Sequence, residues 1–487
     1  RVNILLLLLC IFIPGVAQNV SDGWNKNRTA RLTKPVFVYN NWSAYDELSD
    51  NIPLDEALAM KELDHIVRLK KLGVQVDYYM MDAFWFDVNE GYRKWRPDCW
   101  PEGPKRWLDA CKREGIKPGL WFSTNLLRIG GEANTMRIIP EWESSVAEDG
   151  TTLCLFRGGY LHHLMQTLQM YADMGIKMFK FDFAYFDAAT PDAKCTMLPT
   201  DIEEQNKNAF ISAIKEFRYR NPDVLFIGYN GFGGDMENTV TPFRKTVDLR
   251  WLEIFDTMYC GDPRLSDVPM MNFWRSQDLY SDHMTFQYLF NGVPVRRIDN
   301  CAFMIGTTGT CYNRALNAWK GMMVLTMARG GWLNVCHGNI DLLSDDDARW
   351  MAKVQQLYMK VQQYGSISAF GAIPGKALPY GYMASAEGGN LYTVVNASQE
   401  KAKVMLPEAT GTGRVLFTDS GFMPVLEKNI VELGPEQMVV VGYGKFSNRE
   451  YDLGIEKDIV IPATIQKYVT TNYPDAKILK IERDKKD

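Results

Sequence analysis

The sequence predicts an α/β fold: a (β/α)8 TIM barrel followed by a small antiparallel β-sandwich domain. Three observations carry that expectation. From residue 35 onward, short apolar runs alternate with helix-like segments, the order that builds parallel strands joined by helical crossovers. Eight such runs occur before residue 340. After about residue 365 the pattern changes to brief alternating strands with Gly-rich turns, as in GRVLFTDSGFMPVLEKNIVELGPEQMVVVGY.

Taken in order, the strands are PVFVYNNW (35–42), VDYYMMDAFW (76–85), KPGLWFSTN (117–125), MFKFDFAY (178–185), LFIGYNG (225–231), a sixth within 255–277, CAFMIG (301–306) and GWLNVCHG (331–338). The helices between them repeat apolar residues at three and four, and three of them stop at Gly73, Gly115 and Gly175. The barrel is expected over 35–365 and the sandwich over 366–445. A tail at 446–487 offers one helix and one strand, too little to bury a core of its own. Residues 1–17 read as a secretory signal: Arg1, an apolar run, then Gly15-Val16-Ala17 as a small-residue cleavage site, with 18–34 as a lead-in. A periplasmic or secreted location is expected.

Composition narrows the function. Of 487 residues, 46% are hydrophobic and the formal net charge is −5, with Lys and Arg scattered, which argues against nucleic acid and anionic membranes as partners. No later apolar run reaches the eighteen residues that a membrane span needs. Five histidines, and cysteines without ligand spacing, give no reason to expect a metal or other cofactor. Oligomeric state is not legible.

The stretch MFKFDFAYFD, residues 178–187, places Lys180 and Asp182 among aromatics. Side chains two apart on a strand share a face, so a structural ion pair and a catalytic carboxylate with a cationic neighbour are both open. In a barrel the chemistry gathers at the C-terminal strand ends. Those ends collect Asn41, Trp42, Asp82, Trp85, Asn125, Lys180, Asp182, Tyr229, Asn230, Arg275, Asp278, Asp299 and His337. Carboxylates bind sugar hydroxyls and aromatic faces stack on sugar C–H groups, so a carbohydrate is the substrate class this set suits. For any one tryptophan, core packing is the competing reading.

The succession KPVFVYNNWSAY, VDYYMMDAFWF, KPGLWFS, GIKMFKFDF, NFWRSQD and DNCAFMIG resembles the retaining α-galactosidase (melibiase) superfamily of glycoside hydrolases across residues 35 to 445. The resemblance implies hydrolysis of terminal α-linked sugars by double displacement, with Asp182 of the K-x-D motif as nucleophile. It makes Lys180, Trp42 and Arg275 sugar-binding candidates and matches Asp82 to the first of a pair of hydroxyl-binding aspartates; Trp85 and Asn230 join the binding candidates from their strand-end positions, with core and turn roles competing. Ala83 stands where that pair has its second aspartate, so the resemblance carries the chemistry and not the identity of the sugar. For the acid/base it offers two positions, of which Asp278 is the one favoured. Asp278 ends NFWRSQD ahead of a helix of fitting length; Asp262 ends FDTMYCGD if that is the sixth strand, and otherwise joins the binding set. A sugar-binding protein without turnover, and a barrel enzyme using Lys180 as a Schiff-base nucleophile, are the alternatives.

Overall fold

The computed structural model describes residues 31–42, 54–83, 85–129, 132–232, 247–261, 278–305, 319–419, 422–455 and 463–474. Eight parallel strands form its first sheet: β1 (Val36–Asn40), β2 (Tyr78–Met81), β3 (Lys117–Ser123), β4 (Met178–Asp182), β5 (Leu225–Gly228), β6 (Thr257–Met258), β7 (Asp299–Ile305) and β8 (Leu333–Gly338). β1 pairs with both β2 and β8, and a parallel bridge from Met258 to Ile298 joins β6 to the chain entering β7. The sheet therefore closes, and the expected barrel is the one found.

Period-two alternation decides what each strand residue meets. Val36, Val38, Tyr78, Met80, Met178, Leu225, Ile227, Leu333 and Val335 pack together inside the barrel. Phe37, Tyr39, Tyr79, Met81, Phe179, Phe181 and Phe226 pack on the opposite side against the helical layer. On β4 this parity sends Met178, Lys180 and Asp182 inward and the phenylalanines outward. The two charges are thus continuations of the inner row, at the end where an inner row stops being covered.

The helices Glu56–Lys71, Lys105–Arg113 and Tyr160–Asp173 each end two residues before the glycine expected to stop them. Asp55 caps the first, its Oδ1 accepting from the Leu58 amide at 2.7 Å. The sixth strand, expected within 255–277, is Thr257–Met258, from FDTMYCGD; of NFWRSQD only Asp278 lies among the described residues.

Beyond the barrel, β9 (Ser366–Gly371), β10 (Tyr380–Ala386), β11 (Gly389–Asn396), β12 (Ala402–Met405), β13 (Arg414–Thr418), β14 (Val425–Glu427), β15 (Ile430–Leu433), β16 (Gln437–Gly442) and β17 (Gly454–Ile455) form two sheets. Their orders are β17-β13-β16-β11-β10-β9 and β12-β15-β14. Phe370, Tyr392, Val404, Val431, Leu433 and Val439 fill the space between them, as a sandwich requires. β17 lies past the expected boundary at 445 because its backbone pairs with β13. In the tail a helix covers Ala463–Asn472, and the expected strand after it lies outside the described residues.

A buried ionic cluster joins the two domains. Asp282, on the helix Ser281–Phe290, accepts from Arg329 Nε at 2.7 Å and from the hydroxyls of Tyr382 and Tyr380 at 2.7 and 2.6 Å. Both charged side chains are fully buried. Taking the cation away strands a carboxylate in a dry interface. Arg329→Met is expected to destabilise the fold by about 3–5 kcal/mol, read as a lowered midpoint in urea denaturation.

Candidate active site

Asp82, at the end of β2, and Lys180, on β4, form an ion pair at 2.8 Å with side chains 2% and 4% exposed. The same Asp82 oxygen accepts from Asn40 Nδ2 at 2.8 Å, while its Oδ1 accepts from the amide of Ala83 at 2.9 Å. Lys180 Nζ also lies 4.0 Å from the ring centroid of Tyr229 and 5.9 Å from that of Trp42. The ion pair expected between Lys180 and Asp182 is thus found between Lys180 and Asp82. The salt bridge of Lys180 runs across the barrel mouth, and Asp182 feels the ammonium as a nearby charge.

Asp182 is held by four donors. Its Oδ1 accepts from the Phe183 amide at 2.9 Å, the Asn230 amide at 3.2 Å and Asn230 Nδ2 at 2.9 Å, whereas Oδ2 accepts from Trp121 Nε1 at 3.3 Å. Local backbone makes this possible. Phe183 sits at φ +49°, an uncommon conformation for a bulky residue, and there its N–H turns back onto the carboxylate. Gly231, at φ +96°, follows Asn230 where a Cβ would stand 2.2 Å from the Ala184 carbonyl oxygen. That approach lets the Asn230 carbonyl accept from the Ala184 amide at 3.1 Å, locking the β5 end to the β4 end. Burial pushes the Asp182 carboxyl above its ordinary value, and Lys180 and Asn230 oppose the shift by favouring the charged form.

His337, ending β8, is fully buried, with Nε2 3.3 Å from Cys301 Sγ and its ring 5.9 Å from that of Trp42. Burial first, and then the Lys180 charge, push its imidazole down to about 3, so at neutral pH it is an uncharged wall of the pocket.

The structure brings Trp42, Asp82, Lys180, Asp182 and Asn230 together. Asn230 serves the carboxylate of Asp182, a partner the sequence reading did not give it. Trp85 is displaced from the binding set: it is fully buried among Phe86, Tyr92, Trp95, Phe122 and Tyr171, and its Nε1 donates to the Trp121 carbonyl at 3.0 Å. One tryptophan with core on every side cannot stack on a sugar. Asn125 is likewise a clasp, bonded to Leu153 and to both backbone groups of Tyr185. Asp278 is turned away as well. It is fully buried, and its two oxygens accept from the amides of Gly375 and Ala377 at 2.7 and 3.0 Å, in the loop between β9 and β10. Asp262 and Arg275 lie outside the described residues, Asp262 being next in sequence after Gly261. Trp121, Asn40 and Tyr229 are pocket residues that the expected binding set omitted, although Tyr229 stood among the strand-end residues. Asn40 is two past Val38 on the inner row of β1, Tyr229 two past Ile227 on that of β5, and Trp121 stands beside Lys180 in the β3–β4 register. Among the described residues, no group of three or more His, Cys, Asp or Glu is placed to hold a metal ion.

The structure is a closed parallel barrel with ionisable groups at its C-terminal strand ends, trailed by a β-sandwich. No protein-family model matches the chain. Over 220 residues it is 26% identical to alpha-galactosidase Mel36A of Lactobacillus acidophilus, a stretch that is 41% of this chain and 28% of that one. The galactosidase domain of the alpha-galactosidase-sucrose kinase AgaSK superposes with a TM-score of 0.58 at 15% identity, covering 85% of this chain and 55% of that one. The alpha-galactosidase of Lactobacillus brevis gives 0.59 at 13%, covering 88% and 58%. The alpha-galactosidase AgaA of Geobacillus stearothermophilus, in complex with raffinose, gives 0.58 at 13%, covering 85% and 56%. This chain thus spans little more than half the length of the solved structures and about a quarter of Mel36A. Alpha-galactosidases are what this chain is similar to, over part of its sequence to Mel36A and, in the solved structures, by its fold.

Asn230 stabilises the charged form of Asp182, so removing its side chain favours the neutral form. In Asn230→Ala the carboxyl is expected to titrate at still higher pH than in the wild type, a shift measurable by carboxyl ¹³C NMR on selectively labelled protein. An unmoved titration would show that Lys180 and the backbone amides favour the charged form without help from the Asn230 side chain.

Proposed function

We propose that this protein is a retaining α-glycosidase, α-galactosidase-like, that hydrolyses terminal α-linked sugars through a glycosyl-enzyme. The observation that carries the reading is the asymmetric holding of Asp182. Three donors occupy Oδ1 and fix the plane of the carboxylate. Among the described residues, only the indole N–H of Trp121, at 3.3 Å, touches Oδ2. The lightly held oxygen is the one able to attack an anomeric carbon, and a dry mouth lined by an ion pair suits an oxocarbenium-like transition state.

Lys180, Asp82 and Trp42 supply the sugar contacts in this reading, Trp42 by its face and the pair by hydrogen bonds. A retaining mechanism needs a second carboxyl about 5–5.5 Å from the first. We assign it to Asp262. β6 ends at Met258 and its chain runs through Tyr259, Cys260 and Gly261 directly to that residue, whereas Asp278 is consumed by the Gly375 and Ala377 amides. Asp262 would protonate the departing oxygen and then deprotonate the water that releases the sugar. Arg275 remains a sugar-binding candidate from the motif alone. Because Lys180 is an ammonium paired with Asp82, it is not a free amine, which disfavours the Schiff-base alternative. Export to the periplasm or beyond belongs to the same proposal, supported by the apolar run and small-residue site of residues 1–17.

The test is a panel of nitrophenyl α- and β-glycosides with the wild type, Asp182→Asn and Asp262→Asn. Wild type is expected to act on an α-glycoside with retained configuration by ¹H NMR, and Asp182→Asn to fall to background. Asp262→Asn should lose about 10²–10⁴-fold on alkyl glycosides, where the leaving group needs a proton, and far less on nitrophenyl ones. Wild-type silence over the whole panel, with sugar still bound, would leave a binding protein.

A further inference from the structure

Behind the Asp82–Lys180 pair lies a second buried carboxyl that the proposed chemistry does not use. Glu62 projects from the helix Glu56–Lys71 and is fully buried. Its Oε1 accepts from the Tyr39 hydroxyl at 3.2 Å, and its Oε2 accepts from the Tyr79 hydroxyl and from Asn41 Nδ2 at 3.4 Å. Asn41 passes the connection on: its Oδ1 accepts from the backbone N–H of Asp82 at 2.8 Å. The Tyr39 hydroxyl also lies 3.0 Å from the carbonyl oxygen of Gly338. Glu62 therefore gathers the outward-facing side chains of β1 and β2 and, through Tyr39, the end of β8. Asn40, Asp82 and His337 stand on the inner row of those same three strands.

We propose that Glu62 is a positioning residue for Asp82: its carboxylate fixes which way the Asn41 amide points, and the Asn41 carbonyl oxygen in turn fixes the backbone and side-chain tilt of Asp82. This rests on the reading of Asp82 and Lys180 as sugar-contacting groups. An ionised Glu62 can only accept, so Asn41 must give it the NH2 end and keep the oxygen for Asp82. A protonated Glu62 can donate. Asn41 then satisfies it by turning its amide over, which sets an NH2 group against the Asp82 N–H, donor against donor, and the Asp82 end of the pocket loosens.

The titratable groups facing Glu62 are the hydroxyls of Tyr39 on β1 and Tyr79 on β2, with Asp341 acting from the turn Ile340–Leu342 after β8. Burial pushes the Glu62 carboxyl up to about 7; the Tyr79, Asn41 and Tyr39 donors oppose that rise and Asp341 adds to it. The turnover of the Asn41 amide accordingly falls near neutral pH, with Asp82 held on the alkaline side and released on the acid side.

Glu62→Gln removes the titration while keeping the shape and both kinds of hydrogen-bonding atom. Two measurements decide the proposal. With the best nitrophenyl α-glycoside, wild-type KM should rise several-fold, on the order of fivefold, as pH falls from 8 to 6, while the Glu62→Gln KM stays flat and kcat of the two proteins follows one profile. Hydrogen exchange at the Asp82 amide needs no substrate. Corrected for intrinsic exchange, its protection should fall over the same pH range in wild type and not in Glu62→Gln. An identical pH dependence of KM and of Asp82 protection in both proteins would overturn the proposal, leaving Glu62 a purely structural group whose loss shows only in the unfolding midpoint. If wild type turns over no glycoside, the functional reading fails, and the exchange measurement alone decides whether Glu62 holds Asp82.

Discussion

A carboxylate from β2 and an ammonium from β4, both withdrawn from water, meet across the mouth of the barrel, and the site is arranged around that contact. Two buried ions are a poor way to stabilise a protein, since well-packed apolar residues of the same volume often do as well or better. Once the pair is present, however, neither member can be left alone. Asn40, the Ala83 amide and the ring of Tyr229 all serve it, and the strand ends that carry them are fixed as a consequence. Asp182, two residues beyond Lys180 on the same inner row, inherits a rigid frame and a positive charge nearby.

The parts of this site that could be read from the sequence are those set by local periodicity. Alternation put Lys180 and Asp182 on one face, and the barrel rule put that face at the chemical end of the strand. The partner of Lys180 was not legible, because Asp82 stands 98 positions away and only barrel closure makes them neighbours. Trp85 misled for the opposite reason. Its place at the end of the second strand run suggested the barrel mouth, but it stands three residues past Asp82, on the outward parity, and the chain folds the indole into an aromatic cluster with Trp95 and Tyr92.

The sixth strand shows how little sequence a barrel stave needs. Two residues, Thr257 and Met258, pair with β5 and bridge to Ile298, too short a run for any period to declare itself. NFWRSQD, with its two aromatics, carries more pattern than those two residues do, and that pattern is what drew the acid/base reading to Asp278. The sandwich was easier: its strands are longer, its turns are marked by glycine, and its inner faces alternate cleanly.

Asp278 has a second life in the assembly of the chain. Held by the Gly375 and Ala377 amides, and one helical turn from the Asp282 cluster, it rivets the sixth crossover of the first lobe to a hairpin of the second. Such a joint makes the two lobes melt as one cooperative body rather than in sequence. It also restricts how the architecture can be recombined, because a foreign second lobe grafted after β8 must bring its own amides and hydroxyls to meet two acids already committed to the seam.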